Sequence, residues 1–159
     1  MTRASSVRLA LSLGLALSAC NTQEIAPHQV AVDTQYDAGK GALMILFAPT
    51  DADFAAEQAR VNATPNPTLY QLLVDGQEAV YDSSGTPVPL VVSEGDAMTA
   101  GYWPPGMHHF EVAAPSGRRV FSSDGPIVAG AINRLYLFGP LDALQARFVS
   151  YPFEPPAAS

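Results

Sequence analysis

Residues 101–112 read GYWPPGMHHFEV, a stretch that holds the chain's only tryptophan and two of its three histidines. Either His108 and His109 belong to a reactive site, or Pro104-Pro105-Gly106 is a tight turn between two strands. Side-chain period separates the two readings. Successive strand residues point to opposite faces, so His108 shares a face with Phe110 and Val112, while His109 shares one with Met107 and Glu111. Histidines divided in this way do not converge on one metal ion. His108 is expected at a core edge and His109 on an exposed face. The alternative is a weak surface metal site made from His109, Glu111 and a cross-strand acid. Tyr102 and Trp103 stand just before the turn, at a sandwich end where loops form binding surfaces. They are the candidate binding surface, able to stack on a sugar ring or a partner side chain. The competing reading has Trp103 closing the end of the core.

Outward from this turn the pattern stays β. Residues 42–48 (ALMILFA) form a short apolar run between Gly41 and Pro49, as in a buried strand. Thr50-Asp51-Ala52-Asp53 offers helix-capping residues, and 54–60 are good helix formers, so one short helix is expected near 51–60. Strands are then expected at 60–63 and 68–74, split by Pro65-Asn66-Pro67. The hairpin dipeptide Asp75-Gly76 leads into 77–81. Further strands are expected at 88–93, 97–103, 107–113, 118–122, 127–129, 132–138 and 145–151, with Asp124-Gly125-Pro126 as a turn. Short strands with turn signals every 8–12 residues describe an antiparallel sandwich or barrel. An immunoglobulin-like, all-β antiparallel sandwich without a disulfide is favoured, spanning residues 41–151.

Three of these segments resemble a widespread bacterial extracellular family, domain of unknown function 4397. Arg60-Val61-Asn62-Ala63-Thr64-Pro65-Asn66-Pro67, followed by 69–74 and Asp75-Gly76, is similar to its opening strand, turn and hairpin, with Asn62 and Thr64 where the family motif has His and Ser. Pro104-Pro105-Gly106-Met107-His108, with Phe110 and Val112, resembles its second turn and strand. Gly130 and Leu135-Tyr136-Leu137-Phe138-Gly139 resemble its last. The resemblance covers roughly residues 42–151 and implies a β-sandwich. It supplies no catalytic residues.

The N-terminus points to export. Arg3 and Arg8 flank a polar start, and 9–17 is an apolar run far short of the about 20 residues that span a bilayer. This is a secretory signal over residues 1–19, and Leu17-Ser18-Ala19-Cys20 resembles the bacterial lipobox. Cys20 is then the lipidation site, and its acyl chains anchor the chain at a membrane. The alternative is an ordinary signal peptide with a chance cysteine. Residues 20–40 are the lipidated N-terminus and a tether with an early strand near 29–32, and 152–159 is a flexible, Pro-rich tail. Asn21 follows the cysteine where Asp commonly retains lipoproteins in the inner membrane, so the expected location is the cell envelope at the outer membrane.

Removing residues 1–19 takes two of the eight basic residues and none of the fifteen acidic ones, which leaves six against fifteen, a net charge of −9. An acidic chain without a basic cluster argues against nucleic acid and against polybasic docking on lipid. With Cys20 as its only cysteine, the chain has no disulfide, cysteine nucleophile or cysteine-ligated zinc. Asp51 and Asp53 suit helix capping better than calcium, which takes six to eight oxygens. No Gly-x-Ser-x-Gly elbow or phosphate loop occurs, and the Ser83-Ser84 and Ser122-Ser123 pairs fall in expected turns. No cofactor or metal is implied. The expected function is that of a membrane-anchored envelope lipoprotein whose non-catalytic sandwich binds an envelope protein or glycan, or serves as a structural module. One alternative is an accessory subunit of a surface-polysaccharide or surface-assembly system. The other is an envelope hydrolase using His108 or His109 with nearby acids.

Overall fold

The computed structural model describes residues 27–62, 68–83, 85–93 and 95–153. The expected signal peptide, Cys20, the Pro65-Asn66-Pro67 break and the tail beyond 153 lie outside the described residues.

The described residues form an all-β sandwich with one short helix. The first sheet contains β1 (Gln29–Ala31), β3 (Leu69–Val74), β4 (Gln77–Ser83), β5 (Thr86–Pro89), β6 (Val91–Ser93), β8 (Gly106–Ala113) and β9 (Arg119–Ile127). The second runs β11-β10-β2-β7, where β2 is Gly41–Leu46, β7 Ala97–Trp103, β10 Ala131–Phe138 and β11 Gln145–Pro152. Alternating side chains meet between the sheets, where Leu43, Ile45, Leu72, Leu90, Phe110, Leu135 and Leu137 are fully buried. Burying each of the larger apolar side chains contributes about 1.5–3 kcal/mol.

Several local features differ from the expectations, each for a physical reason. The purely antiparallel arrangement is corrected in two places, since β1 pairs β4 and β10 pairs β2 in parallel. Residues 60–62 are not strand but the last turn of α1 (Asp51–Asn62). The run Ala55-Ala56-Glu57-Gln58-Ala59-Arg60 consists of strong helix formers, and Thr50 caps it, its Oγ1 accepting from Asp53 N at 3.1 Å. The expected strand at 88–93 divides at Leu90. Leu90 N donates to Ala79 O at 2.8 Å and its carbonyl accepts from Leu72 N at 3.0 Å, carrying the chain from β4 to β3.

The expected turn at Asp124-Gly125-Pro126 is instead the end of one long strand, β9, on the sheet's outer edge. Proline is tolerated on an edge strand because its missing N–H can face away from the ladder. Gly125 is required by packing, since a β-carbon there would lie 2.1 Å from the Phe148 ring.

The folded part also starts earlier than residue 41. Val32 joins the core, Tyr102 N donates to Asp33 O at 2.7 Å, and β1 is hydrogen-bonded into the first sheet. At the other terminus, Phe153 N donates to Gly130 O at 2.9 Å, so the fold extends past Tyr151. Among the described residues no helix is long and apolar enough to cross a membrane.

Candidate functional site

The turn between β7 and β8 lies where the sequence places it, but the two residues of the candidate surface part company. In β7 the pairing with β2 steps from Thr99↔Met44 to Tyr102↔Ala42, so one extra residue sits on β7 and forms a bulge. Gly101 takes up this bulge with φ 75°. The bulge shifts the inward phase by one residue. Without it Tyr102 would follow Ala100 into the core; with it Trp103 does. Trp103 is only 6% exposed, and its Nε1 donates to Ala100 O at 2.7 Å. Its expected place on a binding surface is therefore corrected: the indole closes the end of the core.

Tyr102 stays half-buried at the surface, edge-on to Tyr36 with ring centroids 5.9 Å apart. Tyr36 in turn meets Phe153 at 5.5 Å. Sequence reasoning missed Tyr36 and Phe153, which come from segments read as tether and tail. No local signal connects residues 36, 102 and 153; the pairing of β2 between β7 and β10 brings them together.

The two histidines point to opposite faces of β8, and each has an acidic partner. Asp75, at the hairpin with φ 53°, accepts from His109 N at 2.8 Å and meets His108 Nδ1 at 2.7 Å. His108 Nε2 is 2.8 Å from Pro104 O. Both partners of the His108 ring are oxygen acceptors. Burial alone would raise the Asp75 pKa, but the His109 N–H and the His108 ring outweigh it and hold the carboxyl below its ordinary value. Beside this pair lies a cleft of about 310 Å³ lined by Val30, Asp33, Lys40, Asp75, Tyr102 and His108, among others. Lys40 Nζ meets Asp33 Oδ2 at 2.7 Å, so the cleft carries both signs of charge, paired within itself.

On the outer face, His109 Nδ1 is 2.6 Å from Asp124 Oδ1, and its Nε2 is 3.0 Å from Ser122 Oγ. The backbone N–H and C=O of His109 are both directed at Asp75. His109 and the opposing Asp124 are therefore a non-hydrogen-bonded pair, the arrangement that brings cross-strand side chains closest. The hydrogen bond to Asp124 raises the His109 pKa above its ordinary value. Ser122, the last residue of the expected strand at 118–122, lies within the longer β9 and shares the outer face with Asp124. Chemically, the chain has the connectivity of a nucleophilic triad: Asp124 orients the ring, and Nε2 faces the serine hydroxyl. Asp124 is 70% exposed and His109 43%, so the site is an open sheet face bathed in water.

Glu111 is engaged by Arg119 Nε at 2.9 Å, which draws it away from the His109 metal site considered above. Among the described residues no group of three His, Cys, Asp or Glu side chains is placed to hold a metal ion. Asp51 accepts from the Tyr136 hydroxyl at 2.8 Å and pairs with Arg134. Asp53 binds the capping Thr50, so both acids serve the start of α1.

At the opposite end of the first sheet, a groove of about 440 Å³ opens on the outer face. It is lined by Leu69, Gln71, Pro89, Val91, Ala113 and Pro115 among others, with Leu69 exposed. No family model, curated protein or solved structure matches the chain.

Proposed function

We propose that this chain is a lipoprotein of a bacterial envelope, held at the outer membrane by acyl chains on Cys20, whose sandwich is a non-catalytic module that presents a docking face to another envelope protein. The observation that carries the reading is Leu17-Ser18-Ala19-Cys20 behind a basic start and a short apolar run. Membership in the family of domain of unknown function 4397 belongs to the same proposal. It is supported by the positive φ of the family's turn residues: Asp75 and Gly76 at 53° and 77°, Gly106, which opens β8, at 141°, and Gly139 at 95°. A protein partner is favoured over a glycan for two reasons. The indole a sugar would stack on is buried, and the exposed apolar groove lies at the end of the sheet away from the tether. Envelope fractionation tests the anchor: the wild-type chain sediments with membranes, and Cys20→Ala becomes soluble. A Cys20→Ala chain that still sediments would contradict it.

The Ser122–His109–Asp124 chain supports a second reading, an envelope hydrolase. The Ser122 proton would pass to His109 Nε2 as Oγ bonds to an ester carbonyl carbon. The same proton would then leave with the alkoxide, and water would release the acyl group. A fluorophosphonate probe separates the readings. Labelling of Ser122 that His109→Ala abolishes supports the hydrolase, and an unlabelled wild-type chain rules for the binding module.

A further inference from the structure

We infer that the end of the sandwich nearest Cys20 rests on the bilayer surface through an apolar and aromatic rim made by Tyr36, Met107, Val128, Tyr151 and Phe153. This rests on the lipid anchor proposed above and adds an orientation to it.

Pro27 lies beside the start of β4, its carbonyl accepting from Gln77 Nε2 at 3.4 Å. β4 follows directly from the Asp75-Gly76 hairpin, and Asp75 is bonded to His108 and His109 near the start of β8. Gly106 of β8 pairs with Ile127 at the end of β9, and Gly41 at the start of β2 pairs with Trp103. Gly130 N donates to Lys40 O, and Phe153 N donates to Gly130 O. The chain entry, the β7–β8 turn, the segment after β9 and the last described residue thus share one end of the sandwich. Six residues lie between Cys20 and Pro27, and even fully extended the seven steps span at most about 25 Å. A lipidated Cys20 therefore holds this end within about 25 Å of the bilayer.

That end also exposes apolar surface. Among the described residues seven large hydrophobic side chains are exposed, and five of them are here. Met107 is 67% exposed and Tyr36 59%. Tyrosine is suited to the headgroup boundary, where its ring is apolar and its hydroxyl wet. The chain is net acidic with no basic cluster, which rejects docking on anionic lipid by polybasic attraction. The adjoining cleft carries the Asp33–Lys40 ion pair and the Asp75 carboxylate, a mixture of signs that suits zwitterionic headgroups. The surface is thus a zwitterionic bilayer interface, and the apolar groove at the far end is left free for a partner.

The acylated chain offers a direct test, because acylation of Cys20 leaves no free thiol and an introduced cysteine carries a spin label alone. Labels are placed at Val128→Cys, on the rim, and at Val88→Cys, at the far end; both side chains are exposed. The acylated proteins are reconstituted in phosphatidylcholine–phosphatidylethanolamine vesicles, and collisions with lipid-soluble oxygen and aqueous nickel chelate are compared. The inference expects oxygen to dominate at 128 and nickel at 88. It also expects Tyr36→Ser combined with Phe153→Ser to return the 128 label to water while the protein stays acylated and vesicle-bound. Acylated, vesicle-bound protein with both labels in water would overturn the orientation and leave the anchor standing. Protein that carries no acyl mass and does not sediment with vesicles would overturn both.

Discussion

A β-carbon on Gly101 would lie 2.0 Å from Cγ1 of Val32. It would also lie 2.5 Å from Asp33 O, at a backbone φ of 75°. The bulge glycine is thus the opening through which the N-terminal segment passes over β7 and delivers Val32 to the core. Gly101→Ala combines overpacking with left-handed strain and is expected to cost about 2–4 kcal/mol. Urea unfolding measures it. A loss under about 0.5 kcal/mol, the size of an ordinary surface change, would show that residues 27–33 are not packed on the sandwich.

Trp103 and Tyr102 should separate cleanly on mutation. Trp103→Ala empties the end of the core and leaves Ala100 O without its donor, for an expected loss of about 3–5 kcal/mol. Tyr102→Ala removes a half-buried ring and should cost about 1 kcal/mol or less. Thermal unfolding of both variants checks this. Equal, small losses would return Trp103 to the surface.

The His109–Asp124 pair makes stability pH-dependent in a definite direction. The pKa of His109 is raised from 6.5 by its hydrogen bond to Asp124, so the charged form is favoured in the folded state. The contribution is fully present below the unfolded value and is lost as pH rises through the raised folded value. An NMR titration of the His109 ring should give a midpoint above 6.5 that falls back in Asp124→Asn. The stability gap between wild type and that variant should narrow as the solution becomes alkaline. A midpoint at or below 6.5 would contradict the pairing.

How far the fold could be read from the sequence depended on the range of the cause. The β7 turn, the Asp75-Gly76 hairpin, the Thr50 cap and the division of His108 from His109 follow from neighbouring residues, and they are present in the structure. What the sequence hid was long-range. Gly125 reads as a turn residue until Phe148, from the other sheet, is seen to fill the place of its side chain. The Ser122–His109–Asp124 chain depends on the β8–β9 register, and that register depends on Asp124-Gly125-Pro126 being strand. Trp103 turned inward because a single extra residue at Gly101 shifted the alternation, a change no window of hydrophobicity records. The Tyr36–Tyr102–Phe153 cluster required β2 to pair with β7 and β10, which lie far along the chain.

The account rests most heavily on Cys20, and the intact mass of the protein purified from the envelope tests it most directly. The expected mass is that of a chain beginning at Cys20, lacking residues 1–19, with a diacylglyceryl group on the thiol. A chain that retains residues 1–19, or that carries an unmodified Cys20, would contradict the anchor and with it the orientation of the sandwich.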